Sequence, residues 1–207
     1  MPRAEAKAIA DEVLSAAREV LGAATESVPA GSYRRGRETC GDIDCIVTDR
    51  ARKELPAEAM REIVGVLRRK NLVAAELAAG SFEQDDDEEH TQQNWKGVVN
   101  SVFGGKRHSR RLDILLVPPE EHAFALLHFT GSGIFNRSIR TAMHRVDMKI
   151  TQKGLYEGVS RRRVQGVLQE LNKGIKVNAK FTSEEDIFTY LNLPYAPPEC
   201  RDIGKGR

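Results

Sequence analysis

The sequence of 207 residues has few cysteines, few aromatic residues and no long apolar run. Its three cysteines, Cys40, Cys45 and Cys200, are odd in number and lack the paired spacing of a zinc site. We therefore expect reduced thiols and no structural metal bound by cysteine. No stretch approaches the roughly 18 consecutive apolar residues of a membrane span, and no signal-peptide core opens the chain. These absences predict a nuclear or cytoplasmic protein that is neither secreted nor bound in a membrane.

Composition favours a folded protein. Apolar residues make up 40% of the chain and charged residues 30%, which is too apolar for a disordered protein and normal for a globular one. The length allows one large domain or two small lobes. Pro118-Pro119 is the clearest break, since strand-like patterns precede it and helical patterns follow it. We therefore predict a first lobe over residues 1–117 and a second over residues 118–207.

Hydrophobic periodicity predicts the order of the elements. In the first lobe these are a helix over 3–22, a short strand over 28–30, a one-turn helix ending at Arg37, a buried strand over 43–48, a helix over 56–70, and strands over 72–79, 95–103 and 110–117. The alanines of 72–79 leave helix as a competing interpretation. In the second lobe they are helices over 120–129 and 134–145, a hairpin over 149–156, and a helix over 183–191 with Ser183 as N-cap and Asp186 completing a capping box.

Charge is distributed unevenly. Six acidic residues lie within 83–89, and the net charge of +2 would be +8 without them. We expect residues 84–90 to form a loop, because like charges this close together repel one another. Basic residues cluster at 34–37, 106–111, 137–145 and 161–163. Such clusters are typical of a polyanion-binding surface, although a set of solvated faces would look the same.

Three aspartates are the candidate reactive groups. Asp42 and Asp44 are two residues apart at the start of a strand, so both side chains should leave the same face. Two carboxylates this close repel each other unless a divalent cation joins them, and oxygen ligands suit magnesium. Asp113 interrupts an otherwise apolar strand, where a lone carboxylate is costly. If the two strands are neighbours, the three carboxylates can hold two cations about 4 Å apart for phosphoryl transfer; otherwise Asp113 pairs with Arg110 or Arg111.

The turn at Gly31-Ser32 precedes these aspartates. Glycine permits close approach of the backbone, and we expect Ser32 to cap the following turn and to donate to a phosphate. Arg35 would add a bidentate phosphate contact. The P-loop pattern is missing, and an ordinary strand-to-helix turn would account for the same residues.

A set of motifs resembles the catalytic core of family X DNA polymerases, the lambda-type members in particular, within the nucleotidyltransferases of the DNA polymerase beta type. The motifs are Gly31-Ser-Tyr-Arg-Arg-Gly, Cys40-Gly-Asp-Ile-Asp44, Arg110-Arg-Leu-Asp113, Phe129-Thr-Gly-Ser132, Phe135-Asn-Arg-Ser-Ile-Arg140 and Leu193-Pro-Tyr195. The similarity covers essentially the whole chain. It implies an α+β fold, with a mixed or antiparallel sheet and packed helices in a palm lobe, followed by a small, mainly helical lobe called thumb or fingers.

The resemblance also implies a function and its residues. Asp42, Asp44 and Asp113 would hold two Mg²⁺ ions, for which Mn²⁺ could substitute, and a primer 3′-hydroxyl would attack a deoxynucleoside triphosphate on a DNA template. Arg3, Ser32, Arg35 and Gly41 would contact the triphosphate. Phe129 to Gly131 would lie against the sugar, before a cis Gly131-Ser132 peptide. Asn136 would contact the incoming base, and Arg137 and Arg140 would line the template side.

Three departures from the family pattern leave the details of the activity open. His128 replaces a tyrosine, which affects sugar discrimination unless it is simply a packed histidine. The acidic segment is long, which leaves template-independent extension possible. The lyase and DNA-binding lobes usual before this core are not present in the 207 residues, so we expect either an excised core or a minimal enzyme, with poor recognition of the 5′-phosphate at a gap. Transfer to RNA or to a small molecule, and a non-catalytic role in DNA binding, also stay open. We expect a monomer with primer, template and nucleotide as partners.

Overall fold

The computed structural model of the protein describes residues 1–81, 92–164 and 167–202. The predicted acidic loop lies outside the described residues. The helices are α1 (Arg3–Leu21), α2 (Gly31–Arg34), α3 (Ala59–Arg69), α4 (His122–Thr130), α5 (Gly133–His144) and α6 (Glu184–Tyr190). The strands are β1 (Thr25–Pro29), β2 (Ile43–Asp49), β3 (Val73–Ser81), β4 (Gln93–Phe103), β5 (Lys106–Leu116), β6 (Lys149–Ile150), β7 (Leu155–Glu157), β8 (Arg161–Val164), β9 (Val167–Glu170) and β10 (Ile175–Lys176).

The first five strands form one mixed sheet in the order β1-β2-β5-β4-β3. β2 and β5 are parallel, whereas the other neighbours are antiparallel. β2 is almost entirely buried, because helices cover both faces of the sheet at this strand. A strand buried on both faces reads as an apolar run, which is why residues 43–48 could be identified from the sequence. The α+β class is thereby confirmed.

Helices α1 and α3 pack side by side on one face of the sheet. Their buried apolar side chains recur at steps of three and four residues, as predicted for amphipathic helices. In α1 they include Ala6, Ile9, Val13, Ala17 and Leu21, and in α3 Met60, Ile63, Val64 and Leu67. This packing fixes the sheet whose opposite face supports α4.

Helices α4, α5 and α6 form a second apolar cluster with β6 and β7, which includes Phe124, Phe135 and Phe188. A smaller cluster joins this part of the chain to the sheet, because Ala125 of α4 packs with Ile46, Leu115 and Val117. β5 ends at Leu116 and α4 begins at His122. The division into lobes at residues 117 and 118 stays a prediction.

Several predicted elements need correction. The helix at 31 ends at Arg34 rather than Arg37, and its N-cap is Ala30 with no side-chain cap. The predicted capping role of Ser32 was therefore wrong, because Ser32 already lies inside the helical turn. The β8–β9 hairpin was not predicted, since its arginines indicated only a basic patch. The hairpin of β6 and β7, the strand at 73–81 and the Ser183–Asp186 capping box are confirmed.

All three cysteines are described, and each is a free thiol, as expected. Cys40 and Cys45 are buried, while Cys200 is exposed. Among the described residues, no helix combines the length and the apolar character needed to cross a membrane.

Candidate active site

The pairing of β2 with β5 brings the predicted aspartates together at one edge of the sheet. Asp44 and Asp113 are directly opposite each other in the parallel register. Asp42 lies one residue before β2, and its side chain is 35% exposed against 17% for Asp113. The sequence left open whether these strands were neighbours. The structure places them side by side.

Two cationic side chains approach these carboxylates. Arg111 Nη2 donates to Asp42 Oδ2 at 2.5 Å, and Arg111 Nε lies 3.4 Å from Asp113 Oδ1. Lys96 Nζ is 3.9 Å from Asp113 Oδ2. Arg110, the other suggested partner of Asp113, instead binds Glu5 through two hydrogen bonds. Asp113 Oδ1 is nevertheless buried without a hydrogen-bond partner among the described residues.

Electrostatics at this edge disfavour three ionised carboxylates. Burial, followed by the negative charges of Asp42 and Asp113, raises the pKa of Asp44 to about 6, although Arg111 and Lys96 oppose the shift. Burial also raises the pKa of Asp113, against the opposing effect of Arg111 and Lys96. An additional cation would relieve this repulsion.

The donors present fit a divalent cation in chemical type. All three are carboxylates, the ligands that magnesium prefers, and Asp113 Oδ1, which accepts no hydrogen bond from the described residues, is an available oxygen. Among residues 1–81, 92–164 and 167–202, no three acidic, histidine or cysteine side chains are arranged closely enough to form a ready-made metal cluster. Arg111 bridges Asp42 and Asp113 instead.

A small pocket of about 40 Å³ lies next to the carboxylates. Its lining includes Asp44, Asp113, Trp95, Lys96 and Phe129. It thus connects two groups of predicted site residues. One is the acidic edge, which consists of Asp42, Asp44 and Asp113, and the other is the segment 129–131, which is expected to face the sugar.

A larger cavity, of about 650 Å³, lies at the other end of β2 and is lined by Arg50 and Arg52 among others. Glu26 and Asp49 neutralise these two arginines. This cavity is far from the acidic edge and includes none of the predicted site residues.

Gly31 provides space for one of the carboxylates. Its φ is +54°, and a Cβ atom here would lie only 2.4 Å from Asp44 Oδ2. Any side chain would therefore displace the Asp44 carboxylate or the turn. In the structure the close approach that this glycine permits is toward Asp44, and its role in anion binding stays a prediction. Gly41, in contrast, has no described residue other than its immediate chain neighbours within 4 Å of its Cβ position.

The predicted triphosphate contacts surround the turn after α2. Arg3 Nη1 donates to the carbonyls of Tyr33 (2.7 Å) and Arg37 (3.0 Å), and its guanidinium lies over the Tyr33 ring. Arg35 donates from Nη1 to the Thr130 carbonyl and from Nε to Asp202. Ser32 Oγ makes no hydrogen bond within the described part of the chain. Arg3 and Arg35 thus fix the conformation of the turn.

The segment between α4 and α5 has the backbone that the resemblance implied. The Gly131-Ser132 peptide is cis, and Gly131 has a φ of +68°. Ser132 caps α5 by accepting from the Phe135 N–H, and it donates to the Arg201 carbonyl. Phe129 contacts His128 edge-on.

The predicted base and template contacts lie on α5. Asn136 Nδ2 donates to the His128 carbonyl at 2.7 Å, and Arg140 Nη2 is 3.1 Å from His128 Nδ1. Because arginine only donates, His128 Nδ1 must accept. Burial, and then Arg140, lower the pKa of His128 to about 4, so the imidazole is neutral at pH 7. Arg137 is exposed. His128 is therefore a packed, partnered histidine.

Two carboxylates that were not predicted from the sequence bind the arginines of the turn after α2. Glu184 accepts from Arg34 at 2.7 Å and from the fully buried Arg201 at 2.6 Å. Asp202 accepts from Arg35 and Arg37. The only available signal was the density of arginines at 34–37, which requires counter-charges from somewhere in the fold.

Two family models match this chain. The DNA polymerase beta palm matches residues 1–119, and the DNA polymerase beta thumb matches residues 125–202. The chain belongs to the DNA polymerase beta family. This family of nucleotidyltransferases, also called family X, uses divalent metal ions. The resemblance inferred from the motifs is thereby confirmed.

Individual relatives in the family include polymerases and terminal transferases. DNA polymerase lambda of Rattus norvegicus is 33% identical over 98% of this chain and 33% of that protein. DNA polymerase lambda of Arabidopsis thaliana is 25% identical over 85% of this chain and 32% of that protein. DNA nucleotidylexotransferase of Bos taurus is 28% identical over 95% of this chain and 39% of that protein. The chain thus spans only about a third of the length of these relatives.

Proposed function

We propose that this chain is the catalytic core of a DNA-directed DNA polymerase, which adds deoxynucleotides to a primer 3′-hydroxyl and releases pyrophosphate, in DNA repair. The observation that supports this most directly is the register of β2 and β5. It sets Asp44 opposite Asp113, with Asp42 beside them, at a sheet edge where the carboxylates lack full compensation. Family membership makes nucleotidyl transfer the reaction that such an edge serves.

In this proposal Asp42, Asp44 and Asp113 hold two Mg²⁺ ions, or Mn²⁺ in their place. When bound, these ions would lower the pKa of the primer hydroxyl and neutralise charge on the triphosphate. Binding requires Asp44 to be ionised, and its pKa of about 6 allows this at neutral pH. Asp113 Oδ1, which is buried and accepts no hydrogen bond from the described residues, is an acceptor that would also orient the primer hydroxyl.

The basic turn would bind the triphosphate. Arg35 uses Nε and one N–H of Nη1 for protein contacts, so three of its five N–H groups remain for phosphate oxygens. Ser32 and the backbone at Gly41 would add contacts, and Arg3 would hold the turn in place. Charge neutralisation and positioning are the main tasks of protein groups in phosphoryl transfer.

The α4–α5 segment would bind the sugar, base and template. Phe129 to Gly131 would face the sugar, Asn136 the base, and Arg137 with Arg140 the template. In this view residues 1–117 form the palm and residues 118–207 the second lobe. The enzyme would act on DNA in the nucleus or cytoplasm, as a monomer with respect to its own chain.

Template-independent extension is the second candidate. It is favoured by relatives named DNA nucleotidylexotransferase, one of which matches 95% of the chain. The acidic segment invoked for it from the sequence lies outside the described residues. Comparison of templated and single-stranded primers separates the two candidates.

The decisive experiment is primer extension with Mg²⁺ or Mn²⁺ on gapped, recessed and single-stranded DNA, with deoxy- and ribonucleotides. We expect templated addition of deoxynucleotides, and a loss of at least about a hundredfold in Asp113→Asn, because a metal-binding carboxylate contributes several kcal/mol. Asp11→Asn, which changes an exposed aspartate paired with Lys7 on α1, is the matched control.

The possible outcomes have different meanings. Equal extension with and without a template would favour terminal transfer. DNA binding without any extension would indicate a non-catalytic module. Full activity of Asp113→Asn would refute the mechanism.

A further inference from the structure

The dipeptide Arg201-Asp202 connects the arginine-rich turn after α2 with the α4–α5 junction. Arg201 is fully buried and anchors the dipeptide: its Nη1 donates to Glu184, its Nε donates to the Ala196 carbonyl, and its own carbonyl accepts from Ser132 Oγ. Its guanidinium also lies over the Phe135 ring. These contacts fix the backbone from which the next side chain, Asp202, extends.

Asp202 uses its two carboxylate oxygens for two different arginines. Oδ1 accepts from Arg35 Nε at 2.9 Å, and Oδ2 accepts from Arg37 Nε at 2.5 Å. The side chains of Asp202 and Arg35 are only 19% and 16% exposed. Charge-assisted hydrogen bonds in this partly buried setting restrict the arginines far more than a surface ion pair would.

The contacts of Arg35 determine the direction of its guanidinium plane. Asp202 binds the Nε edge, and the Thr130 carbonyl binds Nη1 from the side of α4. Two fixed points on a planar group define its orientation, while the unused N–H groups remain available to an anion. The Gly131 backbone is also close, since a Cβ there would lie 3.4 Å from Arg35 Nη1.

We propose that Asp202 is a positioning residue for nucleotide binding, which holds Arg35 oriented for the triphosphate before the nucleotide arrives. The inference rests on the proposed function and extends it to Asp202, which none of the motifs in the sequence contains. Preorganisation of this kind lowers the entropy that binding would otherwise lose. Burial opposes ionisation of Asp202, but its hydrogen bonds with Arg37 and Arg35 lower its pKa, so the carboxylate is ionised at neutral pH.

The test exploits the sign of the charge change. Asp202→Asn removes a negative charge next to a proposed anion site, so simple electrostatics would tighten binding of an anion. Positioning predicts the opposite: Asp202→Asn should bind dATP and tripolyphosphate about tenfold more weakly, the loss of about one charge-assisted hydrogen bond. Glu199→Gln removes an equal charge three residues earlier and should change affinity less than twofold.

Binding is measured by isothermal titration calorimetry on the full chain with Mg²⁺ and no DNA, so that turnover is not required. A wild-type chain that binds neither dATP nor tripolyphosphate contradicts the proposed function itself. Wild-type binding that is unchanged or tighter in Asp202→Asn contradicts only the positioning role.

A double-mutant cycle asks whether Asp202 acts through Arg35. In an Arg35→Lys background, Asp202→Asn should weaken binding less than twofold, because no guanidinium remains at position 35 to be oriented. A full tenfold effect in that background would overturn the inference. If Asp202→Asn does not fold, Asp202→Glu replaces it: the charge is kept and the carboxylate is shifted by one methylene. Weaker dATP binding at an unchanged melting temperature supports positioning, and unchanged binding refutes it.

Discussion

At the scale of single residues, the position of the Asp44 carboxylate depends on residue 31 being a glycine. The Asp44 carboxylate occupies the space that a Cβ atom would take at Gly31, and the positive φ of Gly31 brings the turn against the start of β2. The proposed anion turn and the proposed metal ligands are therefore in direct contact. A change in one must alter the other.

Gly31→Ala tests this contact. The new Cβ would lie 2.4 Å from Asp44 Oδ2 at a φ of +54°, so the carboxylate or the turn must move. We expect primer extension to fall by at least about a hundredfold, because displacements near 1 Å have such effects on catalysis, and stability to fall by about 1–3 kcal/mol from backbone strain. Single-turnover extension and urea denaturation measure the two effects.

Gly36→Ala is the matched control in the same turn. Gly36 also has a positive φ, +78°, but no described residue other than its immediate chain neighbours lies within 4 Å of its Cβ position. It should show the loss of stability with a much smaller loss of activity. Equal losses of activity in the two variants would mean that strain, and not the contact with Asp44, limits the reaction.

His122 is a buried titratable group outside the proposed chemistry. Its Nδ1 lies 3.2 Å from Arg50 Nη2, and its Nε2 is buried without a hydrogen-bond partner in the described residues. Burial, and then the positive charge of Arg50, lower its pKa from 6.5 to about 4, while Glu26 and Glu184 oppose the shift and Arg34 adds to it. The folded protein therefore keeps His122 neutral where the unfolded chain would protonate it.

The consequence is a loss of stability in mild acid. Because the folded pKa of His122 is the lower one, its contribution to the free energy of unfolding is fully present above pH 6.5 and is lost as the pH falls toward 4. The loss is about 3 kcal/mol at most. Urea denaturation at a series of pH values measures it.

The difference between the wild type and His122→Gln isolates this histidine from other groups. Asp44, whose pKa is raised to about 6, contributes in the opposite direction over the same range. As the pH falls from 6.5 toward 4, the free energy of unfolding of the wild type should decrease relative to that of His122→Gln. Parallel pH profiles for the two chains would show that His122 titrates normally in the folded state.

At the scale of elements, local patterns were sufficient where one face of an element is buried. α1 and α3 have regular apolar faces, and β2 reads as an apolar run because it is covered on both sides. The capping box at Ser183 could be predicted from the sequence because it is contained within four residues. Short exposed strands gave no such signal. In the part of the chain that the structure describes, β8 and β9 form a separate two-stranded sheet, and their residues indicated charge more strongly than strand.

The candidate site could be predicted only in part, because several of its contacts join residues that are far apart in the chain. Asp113 was identifiable because a carboxylate in an apolar strand needs a counter-charge, but its position opposite Asp44 depends on strands that are far apart in the chain. The carboxylates that bind the arginine-rich turn after α2 are still more distant along the chain. Glu184 is 150 residues from Arg34, and Asp202 is 167 residues from Arg35. No local pattern reports pairings at such separation.

At the scale of the whole molecule, the structure divides the basic clusters into two kinds. One kind is held by carboxylates from distant parts of the chain: Arg34, Arg35 and Arg37 bind Glu184 and Asp202. The other kind extends into solvent. Arg137 on α5 is exposed and makes no ion pair within the part of the chain that the structure describes. Sequence alone could not separate these kinds, because both appear as runs of arginine.

Arg137→Gln should therefore weaken binding to a primer-template duplex and reduce the slope of log affinity against log salt by about one, as expected when one phosphate contact is lost. Arg61→Gln is the matched control, because Arg61 is 77% exposed on α3 and pairs with Glu58 at the surface. Fluorescence anisotropy between low and physiological salt measures both slopes. If Arg137→Gln keeps the wild-type slope while Arg61→Gln reduces it, the duplex must contact the α3 side of the sheet, and the assignment of α5 to the template side would be wrong.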